Sequence, residues 1–531
     1  MHRILLLSIC LSLWHSPLLS APAENKPPTD SKAPARQQGI GLMQAVQVTL
    51  FRQPAVLIQQ QEVVASEGAL QEEAGPFDPT FRGSFDYTVD QLASTYWERE
   101  LYGIGDKTYT TTGSSVSLEK MTRYGISFGP GVDVTRSHGV SEILIPTSST
   151  RSNVFFTVSV PLLKGLGKAA TDADEMAAQE ELEASKLELE QTVSDSVLNT
   201  TTAYWAYLEA LMQLRVLRKM EAAARRTLKE TRLLIQGDEL PASDVEPFEA
   251  NLAQKTSQRV EGEQKLFEAR QDLGLAMGLA YGSIDNLPLP TDSFPDSQRD
   301  KTPLINSNPD ALFQEALLKR ADFRALKKRE QAARILLTAA VQNVLPQLDV
   351  NLGVGYAGLE NGGEVDDYFK SLGNNVPGVN YSAAVTLTYP FGNNEAEGWV
   401  VRRRSSLNKV IIQIRDIERK INSGIVVAVQ ALRRTLKELN ETRSSIAHYT
   451  KAVKNEQMKF SMGMASVLDV INMQDRLRNA RLTEISQMNG YADAVVELGY
   501  QTGSLVVADS EGYRIEMKSL TDPWPAKGAE P

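Results

Sequence analysis

Two short stretches hold the residues best placed to do chemistry: Gly237-Asp238-Glu239-Leu240…Ser243-Asp244-Val245-Glu246 and Gly463-Met464…Ser466-Val467-Leu468-Asp469. Both contain the Ser-x-x-acid spacing of a helix start, in which hydroxyl and carboxylate satisfy the free amides of the first turn. Capping is a sufficient reason for these residues. The neighbouring Asp238 and Glu239 add negative charge, and by themselves they read as an ordinary solvated turn.

No catalytic constellation accompanies them. Gly165, Gly167 and Lys168 lack the upstream glycine and the following Ser or Thr of a phosphate loop. The histidines, His2, His15, His138 and His448, show no ligand spacing, and no His, Cys or Ser grouping suggests a nucleophile. The expectation is no enzyme, no cofactor and no metal. Arg402-Arg403-Arg404 reads as a solvated helix face that could also meet lipid phosphates.

The elements that position the two turns form a duplicated chain. Ala45-Val46, Thr49-Leu50, Ala55-Val56 and Pro79 match Leu312-Phe313, Ala316-Leu317, Asp322-Phe323 and Pro346 at an offset of about 267. Thr157-Val-Ser-Val-Pro161 matches Thr386-Leu-Thr-Tyr-Pro390 at about 229, and the two turns match at about 225. The fall in offset puts roughly 38 extra residues in the first half, between about 92 and 150.

Each half reads helix, strand, strand, long helix, tight turn, helix. Lys168 to Gln236 contains no Gly or Pro, and Leu189, Val193, Val197, Thr200, Tyr204, Leu208, Leu211 and Leu214 recur near the helical period. Asn394 to Met462 is its counterpart, and each helix should be about 100 Å long. Shorter return helices (Ser243 to Gly278, Ser466 to Gln501) and leading helices (Ile40 to Ala74, Pro303 to Val344) stack end to end to the same height. The segment 281–302 and the tail 503–531 would form a band around the middle.

Four stretches alternate with period two, near 80–90, 152–161, 347–357 and 380–390. Phe81, Phe85 and Tyr87, then Val154, Phe156 and Val158, then Val350, Leu352, Val354 and Tyr356, then Val385, Leu387 and Tyr389 lie on one side; the other side is Ser, Thr, Gly, Asn and Asp. About nine residues suffice for a tilted strand to cross an outer membrane. Strands in lipid must close into a barrel, and four are too few, so the barrel must be shared between copies. Three copies give twelve strands; two give eight, which leave no water-filled lumen. In this reading the apolar side faces lipid.

Composition agrees with an exported chain of this kind. The 531 residues are 42% hydrophobic and 23% charged with a net charge of −10, which argues against nucleic-acid binding. Residues 1–23 read as a signal peptide ending in Ala21-Pro22-Ala23, and the one cysteine, Cys10, lies inside it. Residues 24–39 are a Pro-rich, polar leader, expected to be disordered.

The order of these motifs resembles the TolC family of outer-membrane efflux and secretion channels, from about Ile40 to Gly503. The resemblance rests on Leu42-Met-Gln-Ala-Val46, Phe77-Asp-Pro-Thr80, Val160-Pro-Leu-Leu-Lys-Gly-Leu-Gly167 and the two turns. It implies a mainly α, duplicated protomer (40–280 and 303–502, joined by 281–302) in a homotrimer, with an α-helical barrel crossing the periplasm below a shared twelve-stranded barrel in outer-membrane lipid. It also implies a periplasmic adaptor and an inner-membrane pump that drives a passive duct. The two turns would form the periplasmic tip: Asp238 and Glu239 would ring the aperture, and Leu240 and Met464 would touch the adaptor. The insertion 92–150, with Val116, Leu118, Tyr124, Ile126 and Phe128, suggests an additional hairpin on the extracellular side. The competing reading is an exported coiled-coil scaffold whose strands pack on a soluble core.

Overall fold

The computed structural model describes residues 39–103, 105, 107–140, 148–237, 241, 245–296, 308–362, 366–374, 378–462, 464–509 and 512–522. The expected signal peptide and, but for Gly39, the leader lie outside them. Among the described residues no helix is long and apolar enough to cross a membrane.

The chain opens with α1 (Leu42–Arg52) and α2 (Pro54–Ala74), then β1 (Thr80–Leu92), α3 (Tyr96–Tyr102), β2 (Lys107–Met121), β3 (Ser127–Val140) and β4 (Ser148–Pro161). A short α4 (Lys168–Thr171) leads into α5 (Ala173–Gln236), and α6 (Glu246–Ala276) returns to α7 (Tyr281–Ile284). The second half runs α8 (Pro309–Lys319), α9 (Ala321–Gln342), β5 (Gln347–Asn361), α10 (Asp366–Gly373), β6 (Asn380–Thr388), α11 (Asn394–Ser461) and α12 (Val467–Gln501). A small hairpin, β7 (Val507–Asp509) with β8 (Gly512–Arg514), and α13 (Met517–Thr521) end it. With 64 and 68 residues, α5 and α11 are each about 100 Å long.

The leading helices, expected to be continuous, are each broken once. Pro54 bars the helical conformation from Gln53, which takes φ −65° and ψ 119°. Arg320 takes φ −65° and ψ 123° without a proline, held by Nη2 to Asp322 at 2.7 Å and Nη1 to Gln501 at 2.9 Å. A left-handed glycine closes each return helix against the break. Gly278 (φ +67°) lies beside Arg52 and Gln53, and Gly503 (φ +69°) beside Lys319 and Arg320. The caps match bond for bond, Leu279 N–H to Gly274 O and Ser504 N–H to Gly499 O, both at 2.9 Å.

The helices form one layer. Beside the sheet, α5 packs between α2 and α9, and α9 packs against α11; toward the far end α5 lies between α6 and α12, with α12 against α11. A core at mid-height, around Tyr204, Trp205 and Tyr207 of α5, joins the halves through Leu42, Val46, Leu273, Val496 and the tail residues Leu505 and Leu520.

The sheet has six strands per chain, not four, in the antiparallel order β1-β2-β3-β4-β5-β6. Three copies therefore supply more than the expected twelve. The insertion is not confined to the extracellular side: β2 and β3 run the length of the sheet between β1 and β4, and their turn lies at the helix end. Tyr124 and Ile126 belong to that turn, where Thr122 N–H bonds to Ile126 O at 2.8 Å. The expected additional hairpin is present, but alternation showed only part of its length because Thr108–Ser117 is nearly all Ser, Thr and Gly, and Gly129-Pro130 interrupts the β2–β3 pairing.

Candidate functional site

Antiparallel partners share a face, so the register sorts every strand side chain. One face carries the rows Phe81–Leu118, Val116–Val132–Val154–Tyr356, Phe156–Val354–Tyr381 and Val158–Leu352–Ala383. Val350 pairs with Val385 and Leu348 with Leu387 on the same face; Phe85 and Tyr87 follow Phe81 along β1, and Tyr389 lies just past β6. Phe81, Phe85, Tyr381, Val385 and Leu387 are two-thirds or more exposed. Toward the loop end this face turns polar, with Thr110, Thr112 and Ser114 on β2 and Ser152, whose Oγ donates to Ser371 O of α10 at 2.7 Å.

The opposite face is polar. It holds Arg82, Ser84, Asp86, Thr88 and Asp90 of β1, Ser115 and Glu119 of β2, Asp133 and Thr135 of β3, Asn153 and Arg151 of β4, and Asp349 of β5. Here glycines make room for neighbours to lie flat: the Asp86 carboxylate crosses Gly113, the Phe155 ring Gly131 and the Tyr109 ring Gly139. Two arginines against five carboxylates leave this face three negative charges per chain among its described side chains.

The helix end of the sheet is tied down. Arg123, in the β2–β3 turn, donates Nε and Nη2 to Glu175 at 2.6 and 2.7 Å and stacks 4.9 Å above Phe77. The guanidinium holds the Glu175 carboxyl below its ordinary range. Gly167 N–H bonds to Tyr124 O at 3.1 Å, and Lys168 lies 5.9 Å above the Tyr124 ring. On α11, Arg402 and Arg403 stack on Trp399 at 4.2 and 5.5 Å.

At the far ends of the helices only part of the expected tip is described. Asp238, Glu239, Leu240, Ser243, Asp244 and Gly463 lie outside the described residues, and Gly237 is the C-cap of α5. Ser466 and Asp469 form the capping box: Asp469 N–H donates to Ser466 Oγ at 3.2 Å, and Ser466 N–H donates to the Asp469 carboxylate at 2.9 Å. The Ser466 hydroxyl and amide lower the Asp469 pKa. Met462, Met464 and Leu468 leave an exposed apolar edge beside it.

Sequence reasoning missed the tie between the two helix pairs above this tip. Lys255 of α6 reaches Asp475 of α12 at 2.6 Å; Arg478 lies 3.4 Å from the same carboxylate and donates to Gln258 at 2.8 Å. Lys255 and Arg478 are buried. Their signal in the sequence is a matched i, i+3 spacing on two helices, invisible until the helices are known to meet.

Residues 312–504 match the family Outer membrane efflux protein. The Outer membrane protein TolC of Escherichia coli is 23% identical over 299 residues, which are 54% of this chain and 56% of that protein, so the chain matches little more than half of that relative's length. The outer-membrane channel OprN superposes with a TM-score of 0.64 at 12% identity, over 87% of this chain and 90% of that one. The CmeC outer membrane channel of Campylobacter jejuni gives 0.61 at 14% identity, over 87% and 85%. Residues 312–504 thus carry the sequence of the Outer membrane efflux protein family, and over 87% of its length the chain shares the fold of solved outer-membrane channels.

Proposed function

We propose that identical copies of this chain form an outer-membrane exit duct, a homotrimer with the sheet in lipid and the helices crossing the periplasm. The observation that carries this reading is the match between two open layers. The helices run in the order α2, α5, α9, α11, and the strands that continue them, β1, β4, β5 and β6, run in the same order. Among the described residues both layers end without a neighbour, at α2 and β1 on one side and α11 and β6 on the other.

A row of unpaired strand groups in lipid leaves costly unsatisfied backbone, so β1 of one copy should pair with β6 of the next. The edge helices suit the same closure. Ile58 and Val64 of α2 and Ile412 and Val427 of α11 are exposed apolar residues in a single chain and would be covered by a head-to-tail neighbour. Aromatic side chains at both ends of the sheet, Tyr96 and Trp97 at one and Tyr389, Phe391 and Trp399 at the other, are exposed at the levels where such residues meet lipid headgroups.

In this duct the polar sheet face lines a water-filled lumen, and the Lys255–Asp475–Arg478 tie holds the helix ends together. A periplasmic adaptor docks on the apolar edge at Met462, Met464 and Leu468, and Asp238 and Glu239 ring the aperture. The adaptor opens the tip by spreading the helix pairs, and an inner-membrane pump supplies the energy. Cell fractionation tests the proposal: the protein should require detergent for release and then run as a trimer. Recovery as a detergent-free monomer would favour the scaffold instead.

A further inference from the structure

Resting on the channel reading, we infer that the 107–140 hairpin is pore wall, so that three copies close eighteen strands and the outer-membrane lumen matches the helical cylinder in width. β2 is hydrogen-bonded to β1 on one side and β3 on the other, and β3 to β2 and β4, with one constant register in each pair. At mid-strand the apolar row continues through both, from Val116 to Val132 and Val154, and the polar row continues opposite it, from Ser84–Ser115 to Asp133–Asn153. A hairpin lying outside the wall would leave β1 and β4 to pair directly; here two strands separate them.

Arc lengths agree. Four helices spaced about 9.5 Å apart cover about 38 Å of circumference per copy, and six strands spaced about 4.8 Å at a tilt of about 40° cover about 38 Å as well. Four strands would cover only about 25 Å, narrowing the duct where it enters the membrane. Three copies of six give a barrel about 36 Å across between backbones, against about 24 Å for twelve strands. The turn is fitted for this place: Arg123 binds Glu175 at the head of α5, and Gly125, at φ +88°, comes against the Gly165 carbonyl where a side chain could not fit.

Because Cys10 is the sole cysteine and lies in the expected signal peptide, single-cysteine variants give a clean test. Membranes containing Ser115→Cys, Thr135→Cys, Val116→Cys or Val132→Cys are treated with a charged, membrane-impermeant maleimide, with Thr157→Cys and Phe156→Cys of β4 as references. Thiols react as thiolates, which need water, so Ser115→Cys and Thr135→Cys should label about tenfold faster than Val116→Cys and Val132→Cys, as Thr157→Cys does against Phe156→Cys. Native mass measurement of the same preparations should give three chains. Equal labelling of both faces of the hairpin while β4 still alternates overturns the wall assignment, and two chains overturn the count of eighteen. Loss of alternation in β4 as well means that the channel reading itself has failed.

Discussion

Gly278 and Gly503 hold left-handed backbone against the Gln53 and Arg320 breaks, and a Cβ at Gly278 would come within 2.5 Å of the Arg52 carbonyl. Replacing either with alanine should destabilise the fold by about 1–2 kcal/mol from the left-handed conformation alone. Gly68, in α2 with nothing near it, is the control: alanine there should leave the melting temperature unchanged or raise it slightly. Thermal denaturation in detergent compares the three. Asp493 of α12 gives a pH signature. Burial, then Glu209 of α5 and Glu497 of its own helix, push its pKa up to about 7, and its Oδ1 has no partner. The folded chain therefore keeps a proton that the unfolded chain releases near 3.8, and the stability Asp493 contributes at low pH is lost as pH rises through about 7. Asp493→Asn should raise the melting temperature most at pH 8, less at pH 5, and change it little below pH 3.8.

At the scale of elements, the Lys255–Asp475–Arg478 cluster joins α6 to α12 about 13 Å from the helix starts. Removing one partner of a buried pair costs about 3–5 kcal/mol, less here because Asp475 is partly exposed. Lys255→Met should loosen the tip and raise mean conductance in planar bilayers several-fold, whereas Lys255→Arg should stay near the parent value. This tie was illegible in the sequence because helix periodicity locates a buried side but not the helix it meets. The long helices were legible, since α5 offers an uninterrupted helical pattern from Ala173 to Gln236. β2 and β3 were legible only as an additional hairpin, without their length or place, because Ser and Thr occupy much of both their faces and only pairing with β1 and β4 sorts the two sides. The Arg320 break was equally hidden: its counterpart Gln53 precedes a proline, but Arg320 is held by Asp322 two residues on and by Gln501 of α12.

The whole molecule is a slab of helices and strands, open at both edges among the described residues, and the proposed trimer closes three such slabs into a duct. In the proposed duct the polar sheet face, with two arginines against five carboxylates among its described side chains, makes the lumen negative. An open duct should prefer cations, read as the sign of the reversal potential across a potassium chloride gradient, and Asp86→Asn with Asp133→Asn should reduce that preference without changing the oligomer. Direct imaging of the detergent-purified particle tests the central claim most closely. The expected image is a hollow threefold assembly in which β1 of each copy pairs with β6 of the next above a continuous ring of helices. A particle of one chain, or an assembly whose β1 and β6 edges remain unpaired, would contradict it.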